Sequence, residues 1–444
     1  MKQPEGFVKP GKDHMVCKLK KGLYRLKQLG RVWHQTLKQE MEKLGFRPGE
    51  ADTTVFFQFK DDKVEIIRWY VDDGLVVTSC AKSMEHMVKD IGGNFDVQDL
   101  DKPDHLLGIK IMRDRDLGTI HILQPLFINT ITCRFDITSG RVVSSPMDPS
   151  MDLCMSTDTD NAVDIPYASL IGSINYCTIS MRPDITFATN KCTQFTSRPN
   201  LSHWEAAKQI VHYLLNTKEY SVTYKEKGNG VEGYSHNLAG FTDVDFAGDT
   251  NDHKSTMGWV FTFNGAPISW ASKKQSLVTC SSMEAELVAG SIASAEGFWL
   301  IRLRRDFRHD FTPIPLFTDN QSFIAFTKGD ANNVRTKHVD THYHYTHEQV
   351  NAGVINLTSP QHIIPRTSLR NPSLLTNTPT SSIPLESVAF EGACHGMVAF
   401  CHTCHHRTNP LYTHVHHPVI RIWLPTLAIT GTWNPCICAG RSVA

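Results

Sequence analysis

Two adjacent carboxylates stand inside an apolar stretch near the N-terminus, IIRWYVDDGLVV at residues 66–77. The flanking apolar runs predict the two strands of a hairpin with Asp72 and Asp73 at its tip. Two negative charges beside buried strands cost free energy unless a cation neutralises them. Carboxylates on rigid strands are also typical ligands of the metal ions in two-metal phosphoryl transfer. From this segment alone, a metal site and an ordinary type I′ turn are equally good interpretations.

The composition indicates an intracellular globular protein. The chain has 444 residues, of which 41% are hydrophobic, enough for about two to four domains. No apolar run approaches the roughly 20 residues of a membrane span, and the N-terminus lacks the apolar segment of a signal peptide. We therefore expect no membrane partner and a cytoplasmic or nuclear location, with the 12 cysteines as reduced thiols. A basic strip over residues 8–47 could meet nucleic acid, although composition alone favours a solvated surface.

Hydrophobic periodicity predicts a mixed α/β chain with several segments. Trp33, Leu37, Met41 and Leu44 define one helical face, and Val55–Tyr70 indicates two strands joined by a polar turn. Strand-turn-strand patterns continue to residue 123, residues 140–164 resemble a linker, and two helices follow. From about residue 236 the pattern predicts three strands, a helix over residues 282–305, a strand feeding Asp319 and a further helix. The Pro-, Ser- and Thr-rich tail after residue 357 predicts little fixed structure.

Ordered motifs then carry a resemblance to a known family. PEGFV, CKLKKGLYRLKQ, YVDD and LLGIKI, followed by SSPMDP, YASLIGSINY and MRPDI, resemble the palm half of the reverse transcriptase of copia-type LTR retrotransposons. GFTDVDFAGD, ISWASKKQ, SSMEAELVA, FTDNQSF and RTKHVDTHYHYTHEQV resemble the RNase H domain of the same polyprotein. The resemblance implies a truncated palm at residues 1–150, a helical connection at 151–235, a three-layer RNase H-like domain at 236–357 and a non-homologous, disordered tail at 358–444.

The resemblance makes Asp72 and Asp73 the paired metal-binding aspartates of the polymerase and places Lys27 and Gln28 on nucleic acid. The family's third polymerase aspartate belongs to a motif that precedes PEGFV, and this chain starts just before that match. Arg25 also replaces a family glycine, and Leu29-Gly30 replaces Ala-Pro, in the segment that lines the nucleotide pocket. We therefore expect no DNA polymerisation from this chain alone.

In the RNase H region, the resemblance assigns Asp243, Glu286 and Asp319 as the catalytic metal ligands, with Mg²⁺ or Mn²⁺ as cofactor. The pattern agrees, because a strand, a helix start and a second strand end could bring three like charges together around cations. An RNA–DNA hybrid is the implied partner, together with other products of the retrotransposon polyprotein. Residues expected on the nucleic acid are Lys273, Lys274, Gln275 and His338, and His338 with Asp340 is expected near the scissile phosphate. Solvated acids without a metal role are expected at Asp245, Asp249 and Glu284.

A fourth family acid, in an Ala-Asp motif after residue 357, is missing here. Codons for Pro365–Ser373 can be chosen so that the shifted frame reads Ala-Asp-Ile-Phe-Thr-Lys-Pro-Leu, which leads to the hypothesis of a frameshift just after Leu357. The Cys and His cluster around Cys401 and Cys404 is then interpreted as accidental rather than as a zinc site. These observations predict feeble hybrid cleavage, with a catalytically inactive nucleic-acid-binding remnant as the alternative.

Overall fold

The computed structural model describes most of the chain before residue 360. It also describes residues 398–399 and 441–443. Within residues 1–359, the residues that it does not describe are 21, 24–25, 61–62, 79–80, 101–102, 138–140, 149–150, 152, 156–164, 226–237, 309–311 and 330–339. Two compact units divide the chain, the first containing Met1–Lys102 and the second beginning at Pro103. The domain boundaries expected at residues 150, 235 and 357 stay predictions. None of the described helices combines the length and the apolar character needed to cross a membrane.

The first unit is an antiparallel sheet with two helices. Its elements are α1 (Leu29–Lys43), β1 (Arg47–Pro48), β2 (Val55–Lys60), β3 (Lys63–Tyr70), β4 (Asp73–Thr78), α2 (Ala81–Gly92) and β5 (Val97–Asp99), with sheet order β1-β2-β3-β4. Leu37 and Met41 on α1 are buried against Phe56, Ile67 and Val76 of the sheet. The predicted helix and hairpin are therefore confirmed, and α1 lies beside the strands that carry Asp72 and Asp73.

The second unit begins with a small sheet and a helical cluster. It contains β6 (His105–Leu106), β7 (Ile109–Asp114), β8 (Thr119–Leu123), α3 (Pro125–Arg134), α4 (Tyr167–Ser180), α5 (Thr186–Thr193), α6 (Leu201–Asn216) and β9 (Val222–Lys225). β9 completes the sheet in the order β6-β7-β8-β9, so a strand that comes after the helices pairs with strands that precede them. Tyr167, Ile174 and Leu214 are fully buried between the helices, as their helical spacing predicts.

A five-stranded mixed sheet forms the rest of the second unit. Its elements are β10 (Leu238–Asp245), β11 (Thr256–Phe263), β12 (Ala266–Lys274), α7 (Ser282–Asp306), β13 (Ile314–Phe317), α8 (Gln321–Lys328), α9 (Asp340–Asn351) and β14 (Ile355–Thr358). The order is β12-β11-β10-β13-β14, with β10 antiparallel to β11 and parallel to β13. Asn264 and Gly265 both have positive φ in the β11–β12 turn, which confirms the predicted hairpin. This arrangement confirms the expected mixed α/β class.

Helices cover this sheet on both faces. Phe261 lies against Gly297 of α7 on one face, where a Cβ on Gly297 would come 3.3 Å from the Phe261 ring. Trp270 is in register with Val260, the neighbour of Phe261, and therefore points to the opposite face. There its indole N–H donates to the Thr178 carbonyl of α4 at 2.9 Å. Helix α4 thus packs on the face of this sheet opposite to the one that α7 covers.

In the tail, the described residues form two short strands. β15 (Val398–Ala399) pairs with β4, and β16 (Arg441–Val443) pairs with β5. The Cys and His cluster around Cys401, the segment with the proposed second reading frame and the expected disorder all lie outside the described residues.

A buried ion cluster joins α5 to the loop after β10. The Lys274 ammonium lies 2.9 Å from the Asp249 carboxylate, and the Lys191 ammonium of α5 lies 3.4 Å from it. Burial raises the pKa of the Asp249 carboxyl, but hydrogen bonds from Lys274 and the Asn251 backbone, with the Lys191 charge, outweigh burial and hold the pKa far below its usual range. Asp249 is 1% exposed, so the expectation that it is solvated is wrong.

This cluster predicts acid sensitivity of the second unit. A carboxyl with a depressed folded-state pKa stabilises the fold above its unfolded pKa of about 4, and this contribution is lost as the pH falls toward the folded value. Asp249→Asn should therefore destabilise the unit at pH 7, and the gap between variant and wild type should shrink below pH 4. Urea midpoints of both proteins from pH 7 to pH 3 measure this, and a pH-independent gap would contradict it.

Candidate metal centre

Two of the predicted ligands lie near the carboxyl ends of two neighbouring parallel strands, β10 and β13. Phe241 of β10 is in register with Phe317 of β13, and their rings stack with centroids 5.1 Å apart. Asp243 and Asp319 each come two residues later along the chain. Because side chains two residues apart share a face of a strand, the register carries both carboxylates toward one place at the same end of the sheet. Asp243 still belongs to β10, whereas Asp319 lies just beyond the end of β13.

The third predicted ligand comes from the start of α7, which has a reciprocal cap. The Ser281 side chain accepts a hydrogen bond from the Glu284 backbone N–H at 3.2 Å, and the Glu284 carboxylate accepts one from the Cys280 backbone N–H at 2.8 Å. This reciprocal cap, a variant of the capping box, fixes where the helix begins. Glu286 comes two residues later, at 5% exposure, on the helix that packs against β10.

The three carboxylates converge. Ligand oxygens of Asp243, Glu286 and Asp319 all lie within 4.8 Å of one another. In the part of the chain that the structure describes, this is the one such group of three or more His, Cys, Asp or Glu side chains. Asp243 and Glu286 are buried and Asp319 is exposed, so the cluster has a protein-facing side and a solvent-facing side. Clustered hard oxygen donors that repel one another fit Mg²⁺ or Mn²⁺ in number and chemistry.

The remaining acids of this region have structural contacts instead. Glu284 caps α7, and Asp249 belongs to the buried ion cluster. The Asp245 carboxylate lies over Gly248, where an added Cβ would collide with its Oδ2 atom. Gly248 therefore leaves the space that this carboxylate occupies.

The residues expected on nucleic acid lie in different surroundings. Lys27 and Gln28 are exposed just before α1, and Lys273 is exposed with its ammonium 5.5 Å from the centre of the Trp259 ring. In contrast, Lys274 binds Asp249 and Asp252, and Gln275 is 2% exposed with its amide donating to the Ala285 carbonyl. Intramolecular contacts occupy these two side chains, and their expected role on nucleic acid stays a prediction. His338 and the Asp340 side chain lie outside the described residues.

Histidines of α9 pack this helix against its neighbours. His342 Nδ1 lies 3.0 Å from the Ser291 hydroxyl of α7, and burial lowers the pKa of His342. His347 Nδ1 lies 2.8 Å from the Thr327 carbonyl of α8 and therefore donates to it, which leaves Nε2 to accept from Asn351 at 2.8 Å. These contacts hold α9 against α7 and α8.

Asp72 and Asp73 lie at the tip of the predicted hairpin, although the turn differs from the ordinary Asp-Gly alternative. Tyr70 pairs with Asp73, so Val71 and Asp72 form the turn and Asp73 already begins β4. Val71 has a positive φ of 56°, and its carbonyl accepts a hydrogen bond from the Trp33 indole at 2.7 Å. Both aspartates are half-buried. Their oxygens suit a divalent cation, and no third acid among the described residues clusters with them.

Comparisons with known proteins relate the N-terminal part of the chain to a protein family. Residues 1–149 match the family described as "Reverse transcriptase (RNA-dependent DNA polymerase)". The chain is 35% identical over 357 residues to the Retrovirus-related Pol polyprotein from transposon TNT 1-94 of Nicotiana tabacum, covering 79% of this chain and 26% of that protein. It is 31% identical over 359 residues to the Retrovirus-related Pol polyprotein from transposon RE1 of Arabidopsis thaliana, covering 80% and 24%. The chain thus spans about a quarter of the length of these relatives.

Among solved structures, the chain is similar to a foamy viral protease-reverse transcriptase in complex with RNA/DNA hybrid. The sequence identity is 15% and the TM-score is 0.36, over 65% of this chain and 32% of that one.

Proposed function

Since the chain belongs to the copia-type Pol polyproteins of LTR retrotransposons, we propose that its RNase H-like domain cleaves the RNA strand of RNA–DNA hybrids with divalent metal ions. The observation that carries the proposal is the convergence of Asp243, Glu286 and Asp319 within 4.8 Å. Divalent ions held there would stabilise the negative charge that develops on the phosphate oxygens during hydrolysis.

The protein's part is to hold the carboxylates before the substrate arrives. Asp243 and Glu286 lie on a strand and a capped helix and are buried, so their positions are fixed by the fold. Asp319 is exposed and lies just past the end of a strand, which leaves it reachable from solvent by a phosphodiester. An enzyme of this kind recognises a hybrid by its backbone, groove shape and 2′-hydroxyls rather than by base edges. Exposed Lys273 is the candidate for backbone contact in this region.

The Asp72–Asp73 pair bears on whether this chain can synthesise DNA. We expect no polymerisation from this chain alone, because two carboxylates that no third acid of the described residues joins form a weaker metal site than the three-acid cluster. A separate polyprotein product that brings a third aspartate to the pair would be the partner needed.

Cleavage of a hybrid by the full chain tests the proposal. A 5′-labelled RNA annealed to DNA should be cut slowly in Mg²⁺, cutting should stop when EDTA is added, and Asp319→Asn should lower the rate at least ~100-fold because it removes a metal ligand. Asp116→Asn, which changes an exposed acid in the β7–β8 turn, is the matched control and should cut at the wild-type rate. Equal background cleavage by wild type and Asp319→Asn would instead support a catalytically inactive nucleic-acid-binding remnant.

A further inference from the structure

The turn that carries Asp72 contains a residue in an unfavourable backbone conformation. Val71 has a φ of 56°, in the left-handed region that β-branched residues avoid and that hairpin turns usually give to glycine or asparagine. Its side chain is 55% exposed, so burial of the isopropyl group does not compensate for the strain. Such conformations persist where the surroundings hold them, and they concentrate at functional sites.

Trp33 of α1 provides a direct restraint on this turn. Its indole N–H donates to the Val71 carbonyl at 2.7 Å, and its ring packs edge-on against Phe95 with centroids 5.6 Å apart. The Val71 carbonyl belongs to the peptide group that Val71 shares with Asp72. Because that group is planar, a fixed carbonyl direction also fixes the direction in which the chain enters Asp72.

We propose that Trp33 is a positioning residue for the Asp72–Asp73 pair. Its indole holds Val71 in the left-handed conformation. The turn with this conformation then orients both carboxylates toward a common divalent cation. Phe95 keeps the indole in place, while the N–H group restrains the carbonyl. This role is independent of the RNase H-like centre, so cleavage of hybrid by the chain has no bearing on it.

The test uses three variants of the full chain. Trp33→Phe keeps an aromatic ring but removes the N–H donor, so amide exchange at Asp72 and Asp73 should speed up roughly 5- to 10-fold. Mn²⁺, monitored by site-resolved paramagnetic broadening at the turn, should bind more weakly by a similar factor. Val71→Gly added to Trp33→Phe should restore both quantities, because glycine adopts the left-handed conformation without a restraint. Phe95→Leu, which retains the N–H donor, should change both less than Trp33→Phe does.

The rescue separates positioning from general packing. If Trp33 merely filled space, Val71→Gly would leave the Trp33→Phe defect in place, and this result would overturn the proposal. Unchanged exchange and Mn²⁺ affinity in Trp33→Phe would overturn it as well.

Should Trp33→Phe fail to fold, the wild-type indole N–H signal decides the matter. This signal should be protected from exchange and broadened by Mn²⁺, and the double variant Asp72→Asn with Asp73→Asn should abolish the broadening. An unprotected indole, or broadening that survives in that double variant, counts against the proposal.

Discussion

Replacing Glu286 with glutamine is expected to lower hybrid cleavage at least ~100-fold and, in the absence of metal, to raise the melting temperature. The two effects have one cause. Asp243, Glu286 and Asp319 crowd three carboxylates within 4.8 Å, two of them buried, and without cations their repulsion opposes folding. Glutamine keeps the shape of the side chain and removes one charge. Relief of about 1 kcal/mol would raise the melting temperature by about 2–4 °C in a unit of this size.

Added Mg²⁺ should reverse the order of stability. The wild type should gain stability with Mg²⁺ concentration because the ion binds the folded state, whereas Glu286→Gln should gain much less. Glu296→Gln is the matched control on the same helix, since its side chain accepts a hydrogen bond from Ser269 and glutamine can still accept it. Melting curves with and without Mg²⁺, beside the cleavage assay, measure both effects. If Glu286→Gln proves less stable than wild type in EDTA, the carboxylates do not repel one another as the cluster requires.

Asp184→Asn should cost about 3–5 kcal/mol of folding free energy, because it leaves a buried guanidinium without its anion. Asp184 is 3% exposed and binds Arg182 through two oxygens, at 2.9 Å and 2.6 Å. Arg182 also donates to the Thr217 hydroxyl at 2.6 Å, which joins the segment after α4 to the end of α6. Burial lowers the pKa of Arg182, but the charge of Asp184 and its hydrogen bonds outweigh burial and raise it.

An exposed pair on α6 is the comparison. Lys208 and Glu205 lie 2.6 Å apart, with Glu205 61% exposed, and Glu205→Gln should cost less than about 1 kcal/mol. Urea unfolding of the full chain, monitored by circular dichroism, compares the two variants with the wild type. Similar small losses in both would mean that the Arg182–Asp184 pair stabilises the fold no more than a surface pair does.

Local sequence patterns were sufficient for elements whose residues interact with near neighbours along the chain. Leu37 and Met41 recur at helical spacing and are buried, and Asn264-Gly265 forms the turn that its dipeptide predicts. The order of Asp243, Glu286 and Asp319 along strand, helix and strand also indicated that they could meet, because the ends of parallel strands share one edge of a sheet.

Contacts between distant segments could not be predicted in this way. The bond from Trp33 to Val71 depends on how α1 crosses the hairpin, and a valine in the left-handed conformation contradicts local preference. Asp249 looked like a solvated loop residue because Lys191 and Lys274, which bury it, come from α5 and β12. Gln275, in a motif assigned to nucleic acid, is turned inward by the start of α7.

The position of β14 bears on how the gene can change without loss of the fold. β14 pairs with β13 from Ile355 to Thr358, and the Thr318 N–H donates to the Thr358 carbonyl, so the last strand of the sheet is complete at residue 358. A shift of translational phase after Leu357 would therefore change only Thr358, the last residue of β14, and the chain after it, while sparing the strands and the helix that carry Asp243, Glu286 and Asp319. If the transposable element decayed by such a mutation, the protein sequence encoded downstream of this point would be lost. The product would still fold and would still carry the three acids.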